Sequence, residues 1–441
     1  ILTRRFAMSD FVRLKAPRGW INDPNGLIYY KGEYHLFYQH FPYAPIWGRM
    51  HWGHAVSKEL MHWEHKDIAL YPSKPDDRSG CFSGSAVEHN GRLHIFYTGV
   101  SYKEENPQNI NTCINDEFTA AQMSITSENG YDFDNLADKF TVIPPIEDKT
   151  VGCKNHTRDP KVWRGKYAWY MVLGSTADRK GRLLFYKSSD LVNWEYVNFA
   201  EKDGMGWMWE CPDYFETDGT GVIVISPLGF LKDEKPYDAV TICALADFDE
   251  ANCKMDIADK WQLFDCGEDL YAPQSTADEN GRRVIIAWAR MPEPFAKNRR
   301  GMFCIPRIVE VRNGHIYFRP HPNAERLFTQ KITSPSEAGA DGYKLSLDMD
   351  NGEKVNIGGY KLSRKNDIIT ADRSDVFAGH SEIKCVFHTP EIKEGCHLDI
   401  YVDPNLIEVY VNNGEYVLTN TVYGLSDEIS AQSYELYAAA D

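Results

Sequence analysis

The sequence predicts an all-β protein in which a five-bladed β-propeller is followed by a C-terminal β-sandwich. Three observations support this prediction. A strand-turn-strand pattern recurs five times in the N-terminal two thirds of the chain. Long stretches with the 3.6-residue periodicity of amphipathic helices are hard to find anywhere. After Arg307 the pattern changes to short runs in which apolar and polar residues alternate, which is typical of a separate β domain.

The five repeats share a small or acidic residue beside Pro or Ala, an apolar stretch, a turn with glycine and a second β-type run. They extend over Asp23–Tyr38, Ser83–Tyr97, Asp159–Val172, Glu210–Ile225 and Ala272–Trp288. An Asn-Gly or Asp-Gly turn is a strong hairpin signal. The repeats begin 51 to 76 residues apart, which is enough for the four strands of a propeller blade. A series of β-sandwiches with similar hairpins is the alternative, but five similar units favour the propeller.

The change of pattern predicts how the chain divides. We expect the propeller over residues 1–308, a linker over 309–335 and a β-sandwich over 336–441. Pro320, Pro322 and Pro335 interrupt the β-type runs of the predicted linker. Beyond it, alternating runs such as His397–Val402 and Leu406–Val411 are typical of sandwich strands.

The composition argues against several classes of partner. The chain has 48 Lys and Arg against 64 Asp and Glu, so its formal net charge is −16. An acidic surface disfavours nucleic acid and anionic membranes as partners. No apolar run approaches the ~18 residues of a membrane-spanning helix. We therefore expect a small-molecule substrate, no nucleic acid and no membrane; the oligomeric state is not predicted.

The cysteines predict neither a metal site nor a disulfide framework. The ten cysteines are scattered and include no C-x-x-C pair. Ten thiols without a framework favour a reducing cytoplasm over secretion. Secretion followed by removal of a signal stays open, because the chain does not begin with Met.

Three of the five repeats begin with an acid, and their matching positions predict that these acids meet in space. In a propeller the innermost strands converge on one axis, so equivalent residues ring the same end of the channel. The acids are Asp23, Asp159 and Glu210. Crowded carboxyl groups separate into ionised and protonated members, which is the division of labour that glycoside cleavage needs. A single such acid is usually a capped turn or a surface ion pair, but three at matched positions favour an active site.

The neighbours of the acids strengthen this hypothesis. Trp20 and Asn22 supply an aromatic platform and an amide beside Asp23. Arg158 precedes Asp159 and is expected to keep it ionised. Glu210 has apolar neighbours in the sequence, including Cys211, which favour the protonated form that a general acid needs.

At these motifs the sequence resembles glycoside hydrolase family 32, the invertase and β-fructofuranosidase family. The resemblance covers essentially the whole chain in motif order, with Ile21 where Met is often seen. It implies the same architecture that the repeats predict. The matching motifs are Trp20–Gly26, Trp47-Gly48, Phe82–Ala86, Arg158–Pro160, Glu210–Pro212 and Tyr271–Gln274.

The resemblance implies a role for each acid. Asp23 is the nucleophile that attacks the anomeric carbon of a β-linked fructosyl unit, Glu210 is the acid and base, and Asp159 stabilises the developing positive charge. The implied reaction retains configuration, needs no metal or cofactor, and requires about 5–5.5 Å between the carboxyl groups of Asp23 and Glu210. The implied sugar-contacting residues are Asn22, Gln39, Trp47, Phe82, Ser83, Arg158 and Trp288.

The implied substrates are sucrose, sucrose 6-phosphate and short fructooligosaccharides, cleaved at the terminal fructose. Two alternatives stay open: a fructosyltransferase with the same three acids, and a non-catalytic sugar-binding propeller.

Two other signals carry less weight. The pairs His51/His54 and His62/His65 are three residues apart, but on a strand such residues face opposite ways, which disfavours a metal site. The basic run 297–300 is interpreted as a solvated loop, with contact to a substrate phosphate as the alternative.

Overall fold

The computed structural model describes residues 9–232, 235–393 and 395–440. Strands make up 56% of the protein and helices 4%, which confirms the all-β prediction. Within the described ranges the one α-helix is Pro322–Leu327, and no helix there is long and apolar enough to cross a bilayer. Short 3-10 turns occupy Pro75–Asp77, Ile114–Asp116, Pro335–Glu337 and Gly339–Asp341.

Five sheets follow one another along the chain, one for each predicted repeat. Most neighbouring strands in these sheets are consecutive in the chain and antiparallel. The first sheet contains Ser9–Phe11, Gly19–Tyr30, Glu33–Phe41, His51–Ser57, His62–His65 and, from far along the chain, Arg299–Arg300. The second contains Gly80–His89, Arg92–Tyr102, Phe118–Ser127 and Phe140–Ile143. The third contains Arg158–Arg164, Trp169–Ala177, Lys180–Ser188 and Glu195–Glu201.

The fourth and fifth sheets each have five strands. The fourth contains Met208–Thr217, Thr220–Lys232, Lys235–Ala239, Ile242–Asp249 and Lys254–Leu263. The fifth contains Leu270–Ala277, Arg283–Ala289, Met302–Phe303, Arg307–Arg312 and His315–Pro320. A separate two-stranded hairpin, Glu105–Asn106 and Asn109–Cys113, extends from the second sheet.

The strands that begin the five repeats are joined from sheet to sheet by buried hydrogen bonds. The Gly84 amide donates to Asn25 Oδ1 (3.2 Å), linking the first two sheets. The Ser85 hydroxyl donates to the Pro160 carbonyl (2.7 Å), linking the second and third. Asp213 accepts from Lys161 Nζ (3.0 Å) and from the Ser275 amide (2.6 Å), linking the third, fourth and fifth.

A segment that lies in the chain between two strands of the fifth sheet pairs with the first sheet. Gly19 and Trp20 pair in parallel with Arg299 and Arg300. The basic run 297–300 is therefore not simply a solvated loop, because two of its residues form a strand at the edge of the first sheet.

The residues predicted as a linker, 309–335, carry regular structure. Arg307–Arg312 and His315–Pro320 are the outer strands of the fifth sheet, and Phe328–Ile332 is an edge strand of the next sheet. The prolines that suggested a linker mark element ends: Pro320 ends a strand and Pro322 begins the helix. Proline is tolerated at both positions, where its missing N–H breaks no ladder or helix bond.

The C-terminal region consists of two sheets that enclose a second apolar core. Leu345, Leu398 and Val409 from the sixth sheet meet Leu362 and Ile369 from the seventh. The sixth sheet contains Phe328–Ile332, Tyr343–Asp348, His397–Asp403, Leu406–Val411, Tyr416–Thr421 and Glu435–Ala439. The seventh contains Lys354–Ile357, Tyr360–Lys365, Ile368–Asp372, Val386–His388 and Ile429–Ser430.

A buried ionic cluster ties the C-terminal sheets to the N-terminal part. Glu408 accepts hydrogen bonds from Arg13 Nε (3.0 Å) and Arg307 NH2 (3.1 Å). Arg307 also pairs with Asp265 (2.9 Å). All four side chains are almost completely buried, so each charge is compensated within the protein.

Candidate active site

In each of the five sheets, the strand that begins the sequence repeat is interrupted by a β-bulge at an equivalent point. A bulge leaves extra residues unpaired and redirects their side chains, and such bulges are frequent beside active sites. Asp159, Cys211 and Ala272 lie in these bulges with positive φ angles of 64°, 47° and 50°. The bulges lie between Ile21 and Pro24, Cys81 and Gly84, Arg158 and Lys161, Glu210 and Asp213, and Tyr271 and Gln274. The motifs singled out in the sequence are therefore the bulge sequences.

One cavity of about 530 Å³ collects the side chains that these bulges present. All ten residues predicted for the site line it: Asn22, Asp23, Gln39, Trp47, Phe82, Ser83, Arg158, Asp159, Glu210 and Trp288. They come from all five sheets or the loops between them.

Asp23 is held by hydrogen bonds to both of its oxygens. The Ser83 hydroxyl donates to Oδ2 (2.6 Å) and Asn22 Nδ2 donates to Oδ1 (3.1 Å). Trp20 Nε1 donates to Asn22 Oδ1 (2.8 Å) and so orients the amide. Burial raises the pKa of Asp23, while the hydrogen bonds from Ser83 and Asn22 lower it in part. The carboxyl group thus has a fixed orientation and little solvent around it.

Asp159 lies near Asp23, and Cys211 contacts the carboxyl groups of both. The Cys211 amide donates to Asp159 Oδ2 (2.9 Å), and Cys211 Sγ lies 3.6 Å from Oδ2 of both Asp159 and Asp23. Burial raises the pKa of Asp159 to about 7, and the positive charge of Arg158 offsets this only in part. Arg158 thus favours the ionised form of Asp159, as the sequence suggested, but desolvation outweighs this effect and keeps the pKa of Asp159 above its ordinary value.

Glu210, and not Asp159, is hydrogen-bonded to the guanidinium of Arg158. Arg158 donates to Glu210 Oε1 through Nε (3.2 Å) and NH2 (2.6 Å). The Tyr271 hydroxyl donates to Oε2 (2.6 Å). The apolar neighbours of Glu210 in the sequence do not surround its carboxyl group, because the bulge turns that group toward Arg158 and Tyr271.

Three carboxyl groups with different partners thus share one cavity, and the similarity to known proteins identifies the family. Residues 14–320 match the N-terminal domain of glycosyl hydrolases family 32, and residues 317–439 match the C-terminal region of that family. The chain belongs to glycoside hydrolase family 32. This confirms the family that the motifs suggested, and the protein is a glycoside hydrolase.

Curated relatives align along almost the whole of this family 32 chain. A sucrose-6-phosphate hydrolase of Escherichia coli is 31% identical over 97% of this chain and 92% of its own length. A raffinose invertase of Escherichia coli is 32% identical over 97% and 91%. Among solved structures, a family 32 β-fructofuranosidase of Bombyx mori is 27% identical with a TM-score of 0.83, covering 98% of this chain and 94% of its own. These family 32 structures fit a propeller followed by a β-sandwich.

Several residues of the family 32 site were not predicted individually. Tyr271 belongs to a noted motif, but only the structure brings its hydroxyl to Glu210. Its position two residues before Pro273, in the fifth repeat, was the available signal. Tyr102 and Phe118 line the cavity as well, beside Trp20, which the sequence had suggested as an aromatic platform.

A pair of residues at the cavity wall was also missed. His156 Nε2 lies 2.9 Å from Asp116 Oδ2, and His156 Nδ1 lies 3.2 Å from Arg158 NH1. Asp116 comes from the loop after the two-stranded hairpin, outside the repeats, so no periodic signal marks it.

The histidine pairs of the first sheet lie outside this cavity. His54 stacks on Phe37 and hydrogen-bonds His35, and His65 contacts Asp10 and Tyr38. Among the described residues no group of three or more His, Cys, Asp or Glu is arranged to hold a metal ion. The contacts of these histidines are those of packing and hydrogen bonding.

Proposed function

We propose that this protein hydrolyses the terminal β-D-fructofuranosyl bond of sucrose-type substrates, with retention of configuration. The observation that carries the proposal is the convergence of Asp23, Asp159 and Glu210 in one cavity, each with different partners. The relatives support the substrate class, since they are named sucrose-6-phosphate hydrolase, raffinose invertase and β-fructofuranosidase. A variant of the Bombyx mori enzyme has been solved in complex with sucrose. A cavity of about 530 Å³ is in the usual range for a ligand of this size.

In the proposed first step Asp23 attacks the anomeric carbon and the bond from that carbon to the aglycone oxygen breaks. Glu210 gives its proton to the departing oxygen. The hydrogen bonds from Ser83 and Asn22 support the nucleophilic role, because they fix the direction of the attacking carboxylate.

In the proposed second step a water molecule gives a proton to Glu210 and its oxygen attacks the anomeric carbon, which releases Asp23. Asp159 stabilises the positive charge that builds on the fructosyl ring in both steps. Its contact with Cys211, which also touches Asp23, supports this position beside the nucleophile. Retention requires about 5–5.5 Å between the carboxyl groups of Asp23 and Glu210, which stays a prediction.

We also propose that the five sheets are the blades of a single propeller, supported by the pairing of Gly19 and Trp20 with Arg299 and Arg300. The predicted division at residues 308 and 336 stays a prediction. A cytoplasmic location stays one too, supported by ten free cysteines.

The test is fructose and glucose release from sucrose by the purified protein. Asp23→Ala and Glu210→Gln are expected to abolish release, whereas Glu216→Gln, on the same strand as Glu210 but outside the cavity, retains it. Retention predicts that methanol as acceptor yields the methyl β-fructofuranoside. Activity that persists in both variants contradicts the assignment of the acids.

Product analysis at high sucrose separates hydrolysis from transfer. Equal amounts of glucose and fructose are expected. Growth of longer fructosyl products without matching free fructose contradicts hydrolysis and supports a fructosyltransferase.

A further inference from the structure

A continuous chain of polar contacts runs from Glu210 outward to the cavity wall. Arg158 NH2 donates to Glu210, and Arg158 NH1 lies 3.2 Å from His156 Nδ1. A guanidinium can only donate, so His156 Nδ1 must accept. The imidazole is then neutral with its proton on Nε2, which donates to Asp116 Oδ2 at 2.9 Å. The chain ends at the Asp116 carboxylate, whose side chain is 63% exposed.

This chain places Asp116 on the side of the cavity that receives the leaving group. In the proposed function Glu210 protonates the departing oxygen, so the aglycone lies against Glu210 and the residues beyond it. Those residues are Arg158, His156 and Asp116. The fructosyl unit lies at the other end, against Asp23.

The cavity has an excess of negative charge. Its lining contains the carboxyl groups of Asp23, Asp159, Glu210 and Asp116. Arg158 is the one Lys or Arg among the described lining residues, and its guanidinium is bound to Glu210. A phosphate group on the aglycone therefore meets no Lys or Arg side chain in that lining other than Arg158, which is already paired with Glu210.

Three of the cations near the hairpin and near Trp20 have partners as well. Lys103 pairs with Glu117 (2.6 Å), and Arg49 pairs with Glu105. Arg300 lies over the Trp20 ring and donates to the Met291 carbonyl (2.9 Å). The basic run 297–300 thus supplies Arg300 to pack on an aromatic residue of the site, where its Nε is already committed.

We propose that Asp116 makes the enzyme selective for an uncharged, hydroxyl-bearing aglycone and disfavours a phosphorylated one. Its carboxylate accepts hydrogen bonds from sugar hydroxyls, whereas a phosphate dianion in the same place meets like charge, which is a common way to reject a wrong ligand. The inference rests on the proposed function. It separates this chain from those relatives that are named for sucrose 6-phosphate.

The test compares kcat/KM for sucrose and sucrose 6-phosphate, measured by fructose release. The wild type is expected to favour sucrose by at least about tenfold, and added salt is expected to narrow the ratio because it screens exposed charge. Asp116→Asn is expected to raise kcat/KM for sucrose 6-phosphate severalfold and to lower kcat/KM for sucrose, because an amide oxygen accepts hydrogen bonds from sugar hydroxyls less strongly than a carboxylate does. Asparagine tolerates the positive φ of 56° at this position and can still accept from His156.

A matched control removes the same charge elsewhere. Asp203→Asn removes a carboxylate that is 87% exposed and pairs with Lys180 outside the cavity, and it is expected to leave the ratio unchanged. Equal or better cleavage of sucrose 6-phosphate by the wild type, or an Asp116→Asn ratio equal to that of the wild type, overturns the role of Asp116 while leaving the fructosidase intact. Absence of fructose release from both substrates overturns the proposed function instead.

Discussion

Replacement of Ser83 by alanine tests whether Asp23 must be ionised to act. The Ser83 hydroxyl donates to Asp23 Oδ2 at 2.6 Å and lowers the pKa of Asp23, against the larger effect of burial. Without this hydrogen bond the pKa of Asp23 rises further. The ionised nucleophile then becomes scarcer at low pH, so the acid limb of the kcat/KM profile moves to higher pH.

The size of the effect follows from the type of hydrogen bond. A bond to an ionised group contributes about 1.5–3 kcal/mol, which corresponds to about a tenfold to hundredfold change in an equilibrium. We therefore expect kcat/KM of Ser83→Ala to fall by about that factor at a pH below the acid limb. On the plateau the loss is expected to be smaller, because Asp23 is ionised there in both proteins.

The assay is a pH profile of initial rates with sucrose well below KM. Ser85→Ala is the control, because this serine lies two residues further along the same strand and bonds the Pro160 carbonyl outside the cavity. It is expected to lower stability without moving the acid limb. An unchanged limb in Ser83→Ala, or a limb displaced to lower pH, refutes the reasoning.

Three further predictions follow from other contacts. Tyr271→Phe removes the hydroxyl that donates to Glu210 (2.6 Å), and kcat/KM is expected to fall about tenfold or more; a loss below threefold contradicts this. Burial raises the pKa of Asp159 from 3.8 to about 7, so the native state holds a proton that the unfolded state has lost, and the free energy of unfolding decreases as pH rises through that interval. Urea titrations should show that Asp159→Asn weakens this dependence, and an unchanged slope contradicts it. Glu408→Ala leaves Arg307 buried without one of its carboxylates and is expected to cost about 3–5 kcal/mol in urea unfolding. Glu435→Ala breaks an exposed pair with Lys331 and should leave the urea midpoint nearly unchanged.

The repeats made the fold and the three acids predictable. A propeller blade is built from local hairpins, and each hairpin is recognisable in the sequence by its turn residues and by the β-type runs on either side. Asp23, Asp159 and Glu210 occupy matching positions in three repeats, so their meeting in one cavity follows from the repeat itself. The seven sugar-contacting residues that the family resemblance implied line the same cavity.

The partners of these side chains were not predictable in the same way. Arg158 adjoins Asp159 in the chain but binds Glu210, 52 residues away. The bulges in the strands that begin the repeats set the direction of these side chains. The prolines near residue 320 suggested a linker, whereas they end one strand and begin a helix. Prolines in the sequence indicate where a strand or helix begins or ends, but the pairing of distant strands decides which sheet each neighbouring segment joins.

The sequence by itself determined the all-β class and the family, and it predicted which three acids share a cavity, since these depend on periodicity and on motifs of a few residues. Only the tertiary structure placed Asp116 and His156 beside Arg158 at the wall of the cavity. These residues come from a loop and from the approach to the third sheet, and they carry no repeat. Their contacts depend on how separate sheets are packed around the cavity, which no local pattern encodes.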